Sequence, residues 1–111
     1  MNIGEMIEET RRTWKIDPKS RYEDRDVAVM YSAMALGGEI GELQNMLTKI
    51  HRKKYYTDGH FNPEMESEIP QEMADILYFL LRLSDTLGVD LDRAFMDKMG
   101  ENRKRYLQAS P

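Results

Sequence analysis

Apolar residues recur at three- and four-residue intervals along the chain, and alternating runs rich in Val, Ile and Thr are missing. That periodicity predicts helices and no sheet. The first helix spans Ile3 to Lys15, with Ile3, Met6, Ile7 and Trp14 as a short stripe, and ends before the turn signal Ile16-Asp17-Pro18. Trp14 reads as a core residue. The second helix runs from Arg25 to Lys53, and Val29, Ala33, Leu36, Ile40, Leu43, Leu47 and Ile50 keep the spacing of a buried stripe. Gly37, Gly38 and Gly41 lie inside it at a cost of up to ~1 kcal/mol each relative to alanine. Glycine there permits close approach of another helix or of a ligand.

Residues Tyr55 to Glu66 read as a polar loop, punctuated by Thr57-Asp58-Gly59 and Asn62-Pro63. The third helix is expected to start at Ser67 as N-cap, to hold Pro70 in its first turn, and to stop at Gly88 after Leu87. Asp90 caps a fourth helix that turns Leu91, Phe95, Met99 and Tyr106 inward and ends near Leu107. The expected fold class is therefore all-α, a four-helix bundle. Ile76-Leu77-Tyr78-Phe79-Leu80-Leu81 is apolar around the whole circumference of its helix, and such a helix must be covered on every side. In so short a chain a second subunit is the natural cover, so a homo-oligomer, at least a dimer, is expected.

Composition narrows the classes. A chain of 111 residues has room for one domain, taken as residues 1–111. Net charge is −4 with acids and bases interspersed, which argues against binding a nucleic-acid polymer; the basic cluster from Lys49 to Lys54 is too short to reverse this. Cysteine is absent, which leaves no disulfide framework and no thiolate metal site. No apolar run approaches the ~20 residues that span a bilayer, and the stretch from Met1 to Trp14 has no signal-peptide core. A cytoplasmic protein, not a membrane one, is the expectation.

Two acidic pairs carry the candidate chemistry. Glu39 and Glu42 lie three apart on the second helix, and Glu72 and Asp75 three apart on the third, each pair about 100° around from its core stripe. Antiparallel packing would set the pairs face to face. Crowded carboxylates repel and need a cation. Oxygen ligands without thiolate or imidazole suit Mg2+, with Mn2+ as the substitute, rather than zinc, copper or a di-iron centre. Glu-x-x-Glu alone is more often a solvated face. Lys49 and Lys53 continue the line of the first pair, and Phe79 that of the second. On the fourth helix Lys98, Asn102 and Arg105 share a face that suits phosphate oxygens; an ordinary basic C-terminal turn would look the same.

Taken together these segments resemble the MazG-like all-alpha nucleoside triphosphate pyrophosphohydrolases. Gly38-Glu39-Ile40-Gly41-Glu42-Leu43 resembles their E-x-x-E helix, and Gln71-Glu72-Met73-Ala74-Asp75-Ile76-Leu77-Tyr78 their E-x-x-D helix. The run from Lys98 to Tyr106 is similar to their closing K-x-x-x-N-x-x-R segment, most nearly that of the dCTP-hydrolysing branch. The resemblance implies a homodimer or homotetramer that hydrolyses a nucleoside triphosphate to monophosphate and pyrophosphate. It implies Glu39, Glu42, Glu72 and Asp75 as catalytic Mg2+ ligands, and Lys98, Asn102 and Arg105 as substrate contacts. Lys49, Lys53 and Phe79 join the candidate substrate contacts by position. Where the dCTP branch has an aromatic residue against the base, this chain has Lys49, and the loop from Tyr55 to Glu66 has no counterpart. A helical interaction module without activity, and a nucleotide sensor that binds without turnover, remain the competing readings.

Overall fold

The computed structural model describes residues 1–16, 24–56 and 63–107, with backbone only for residues 15, 16, 53–56 and 63–66. They form four helices: α1 (Ile3–Ile16), α2 (Arg25–Tyr56), α3 (Pro63–Leu87) and α4 (Leu91–Leu107). The expected all-α class holds. The turn at Asp17-Pro18 and the signals from Thr57 to Asn62 lie outside the described residues. α2 and α3 pack along their length, and α1 lies on α3. α4 buries none of its side chains.

Helix ends follow local chemistry. Asn2 and Glu5 form a reciprocal cap, the Glu5 N–H donating to Asn2 Oδ1 at 2.8 Å and the Asn2 N–H to Glu5 Oε1 at 3.4 Å. Asp90 caps α4 as expected, accepting from the Arg93 N–H at 3.2 Å. At the end of α3 Gly88 adopts φ 72°. The Gly88 N–H donates to the Asp85 carbonyl and the Val89 N–H to that of Ser84, the paired bonds of a Schellman motif.

Four expectations need correction. α2 continues to Tyr56 rather than stopping at Lys53. α3 begins at Pro63, not Ser67, so Pro63 takes the first-turn place where its missing N–H is harmless and Pro70 lies further in. The inward line of α2 is rotated from the expected stripe. Ala28 and Ser32, outside that stripe, are buried. Within it Ile50 is buried and Val29, Leu36 and Leu43 are half-buried, whereas Ala33 is exposed, Ile40 is 46% and Leu47 45% exposed. α2 is apolar on two faces, so spacing alone did not decide which face packs. In α4 Phe95 and Tyr106 are exposed rather than inward, because α4 packs only sparsely on the other described helices.

The seam between α1 and α3 is polar. Arg82 is buried (8% exposed) and donates to Asp85 at 2.8 Å and, at 3.5 Å, to Thr10. Its guanidinium lies 5.2 Å from the Trp14 ring centroid, within cation–π range. Asp85 also receives two bonds from Arg11, at 2.9 and 2.6 Å. Thr13 donates to the Tyr78 hydroxyl at 3.1 Å. Asp85 thus ties two arginines, and α1, to α3.

The Arg11 hydrogen bonds hold the Asp85 carboxyl below its ordinary range, against the opposing effect of burial, with Arg82 adding to Arg11. A depressed carboxylate stabilises the fold above its unfolded value, and that contribution is lost as pH falls through the folded value. Asp85→Asn is expected to destabilise the protein at pH 7 by roughly 1.5–3 kcal/mol, the range for hydrogen bonds to charged groups. Denaturant unfolding at pH 7 and pH 3 should show the gap between variant and wild type closing in acid. Equal stability at pH 7 would contradict the clamp.

Candidate functional site

The register of α2 on α3 follows from which residues meet. Glu39 meets Glu72 and Asp75, while Asn45, Met46 and Lys49, further along α2, share a cleft with Glu68, further back on α3. The two helices are therefore antiparallel, as the acidic pairs require. One carboxylate oxygen from each of Glu39, Glu72 and Asp75 lies within 4.8 Å of the others. Three of the four expected ligands are together; Glu42 is exposed and faces the adjoining cleft.

The acids sit at the margin of the packed face. Glu39 and Glu72 are half-buried and Asp75 is exposed. Glu39 Oε2 and Glu72 Oε2 are shielded from solvent without a hydrogen-bond partner. An anionic oxygen stranded in that way is unfavourable unless a cation or proton meets it. Burial chiefly, then the Glu72 carboxyl and the charges of Glu42 and Asp75, push the Glu39 pKa up to about 7. Two orphaned oxygens and an exposed third carboxylate form an open, all-oxygen donor set, which fits a hard divalent cation that keeps part of its water shell.

The adjoining cleft, about 180 Å³, is lined by Glu42, Asn45, Met46, Lys49 and Glu68. Lys49 is thus next to the acids. Asn45 was not foreseen, although Asn45 lies three residues after Glu42 and Glu68 four before Glu72, and that spacing alone would have placed both at this end of the seam. On the other side Phe79, half-buried one turn after Asp75, meets Tyr31 and Tyr78 edge-on with ring centroids at 6.4 and 5.2 Å. Trp14 meets Tyr31 at 5.7 Å. It is half-buried, so the expectation of a core tryptophan is only half met. The side chain of Lys53 lies outside the described residues.

The trio on α4 is not brought to the acids within one chain. Lys98 pairs with Glu101 at 3.5 Å and borders a cavity of about 530 Å³ whose walls include Ile3, Leu80, Leu91 and Phe95. Arg105 lies over the Tyr106 ring at 5.5 Å, and Asn102 is half-buried.

A carboxyl whose folded pKa is raised binds its proton more tightly folded than unfolded, so its contribution to stability falls as pH rises from about 4.5 to about 7. In the metal-free protein Glu39→Gln is expected to flatten thermal stability over that window and to exceed wild type at pH 8. Melting scans in EDTA from pH 5 to 8 read this. An unchanged slope would mean that Glu39 is not the protonated member of the cluster.

No protein-family model matches the chain. It is 33% identical over 78 residues to human dCTP pyrophosphatase 1 and 32% identical over 78 residues to the rat protein of that name. Each match covers 66% of this chain and 42% of the relative, so the chain spans less than half the length of these relatives. It is also 29% identical over 75 residues to the gene 37 protein of Mycobacterium phage L5, covering 68% of this chain and 63% of that one. The sequence is thus similar, over about two thirds of its length, to proteins named for pyrophosphate release from dCTP.

Proposed function

We propose that the chain is a single-domain, Mg2+-dependent hydrolase that converts a nucleoside triphosphate to monophosphate and pyrophosphate. The observation that carries the reading is the meeting of Glu39, Glu72 and Asp75 with two of their oxygens buried and unpartnered. The likeness to the dCTP pyrophosphatases supports the same reaction class. The site would serve in the cytoplasm in clearing nucleotides from the pool.

Glu39, Glu72 and Asp75 would hold Mg2+, or Mn2+ in its place, with Glu42 closing the set from the adjoining turn. An ion held there would supply positive charge to offset that on the phosphate oxygens and so favour attack at phosphorus. A carboxylate not fully engaged with the ion would take the proton from the attacking water, and Glu39, half-buried beside Glu72 and Asp75, is the first choice. Lys49 borders the cleft beside Glu42, where an ammonium would offset the triphosphate charge, and Lys53 would join it by its spacing in the sequence alone. Phe79, with Tyr31 behind it, offers an aromatic border for the base.

The remaining contacts depend on assembly. Lys98, Asn102 and Arg105 lie on a helix that buries nothing, and the exposed Leu77, Leu80, Phe95 and Met96 are what a homodimer or homotetramer would cover. Packing α4 against the acids of another subunit would deliver the Lys98 ammonium and the Asn102 amide to the phosphates.

Pure protein incubated with a panel of nucleoside triphosphates and Mg2+ is expected to release pyrophosphate and monophosphate in equal amounts. Glu72→Gln and Asp75→Asn are each expected to lower kcat/KM at least ~100-fold, about 2.7 kcal/mol of lost transition-state stabilisation. Lys98→Ala should chiefly raise KM. Mg2+-dependent binding without product would identify a sensor, and absence of both would leave a helical interaction module.

A further inference from the structure

Among the described residues Arg82 is the one buried side chain with a formal charge, and its hydrogen bonds are unevenly made. Nη1 donates to Asp85 at 2.8 Å and to Thr10 at 3.5 Å. Nε is shielded from solvent without a partner, and Nη2 donates to no group among the described residues. Asp85 gives its two-pronged contact to Arg11 instead, at 2.9 and 2.6 Å, although the Arg11 side chain is 45% exposed. The clamp between α1 and α3 is thus complete without the Nε–Nη2 edge of Arg82. A charged donor buried and unmet is costly, and a guanidinium edge is shaped for a planar pair of acceptors.

The position of that edge matters. Asp75, Phe79 and Arg82 follow one another at intervals of four and three residues, so they share one line of α3. Arg82 lies two turns beyond Asp75, ~10 Å along the axis. That interval leaves room for a sugar between phosphates at the acids and a base beside Phe79. Aromatic rings gather at the same level. The Trp14 ring centroid lies 5.2 Å from the Arg82 guanidinium, and Trp14 meets Tyr31 at 5.7 Å and Tyr78 at 6.5 Å. Faces on which any base can stack therefore stand beside a buried cationic fork that distinguishes one base edge from another.

We propose that the Nε–Nη2 edge of Arg82 selects the base of the nucleotide, taking one that presents two adjacent hydrogen-bond acceptors. Guanine offers such a pair in O6 and N7, and cytosine in O2 and N3. Uracil and thymine set an N3–H between their carbonyls, and adenine sets an N6 amine beside N7, so each meets the fork with a donor. The wrong base leaves buried donors unmet, which is why a site built to hydrogen-bond discriminates well. The proposal rests on the nucleotide reading put forward above and adds the class of base. Arg82 binds the base in it and takes no part in cleavage.

The full chain with Mg2+ is tested against dCTP, dGTP, dUTP and dATP, reading Kd by calorimetry and pyrophosphate release separately. Either dCTP or dGTP is expected to bind at least ~10-fold tighter than both dUTP and dATP. Analogues that lack the ring acceptor, 3-deaza-dCTP and 7-deaza-dGTP, tell which base is read, since the one that matters should lose at least ~10-fold; this arm uses the wild-type chain and needs no variant to fold. Arg82→Lys keeps a charge facing Asp85 but not the fork, so it should level the ranking, whereas a purely structural role would weaken all four nucleotides alike. A ranking led by dUTP or dATP, deaza analogues bound as well as their parents, or a folded Arg82→Lys chain with the wild-type ranking overturns the proposal and leaves hydrolysis standing. The expected ranking in Kd without pyrophosphate release supports Arg82 and overturns hydrolysis. Binding of no nucleotide overturns both.

Discussion

The arrangement depends on carboxylates lodged where two helices pack. Glu39 and Glu72 occupy half-buried positions on α2 and α3 that apolar side chains would fill at less cost, and one oxygen of each is shielded without a partner. A metal-free seam answers by keeping a proton on Glu39, whose pKa is pushed up to about 7. In the proposed reading a divalent cation would take the place of that proton. Folding and the proposed site chemistry would be coupled at this point, since the group that weakens the empty seam is the one that would receive a hard cation.

The other contacts position this seam. The antiparallel run of α2 on α3 sets Glu39 against Glu72 and Asp75 and extends the same line into the cleft holding Lys49, Asn45 and Glu68. On the far side α1 is tied to α3 by Asp85, Arg11 and Arg82 and brings Trp14 beside Tyr31, which meets Phe79. An acidic centre is thus flanked by a polar cleft on the α2–α3 pair and by an aromatic cluster to which α1 adds Trp14.

The carboxylate spacing, the helix count and the caps at Asp90 and Gly88 were legible because each is set within one or two turns of chain. The facing direction of α2 was not, because a helix apolar on two sides satisfies the same three- and four-residue pattern whichever side packs. The start of α3 was misplaced for a related reason: Ser67 and Pro63 are both sound first-turn signals, and the choice between them depends on the loop before them. The depth of Glu39 could not be read from Glu-x-x-Glu, since burial is a property of the packed pair and not of either helix. α4 shows the same limit, its apolar residues marking a surface that needs covering without saying by what.

Calorimetric titration of the metal-free protein with Mg2+ near pH 6.5, repeated in buffers of different ionisation enthalpy, tests the central claim most directly, because it counts protons released as the ion binds. The account predicts saturable binding accompanied by proton release, with the release lost in Glu39→Gln. Absence of saturable binding, or binding that releases no proton, would contradict it.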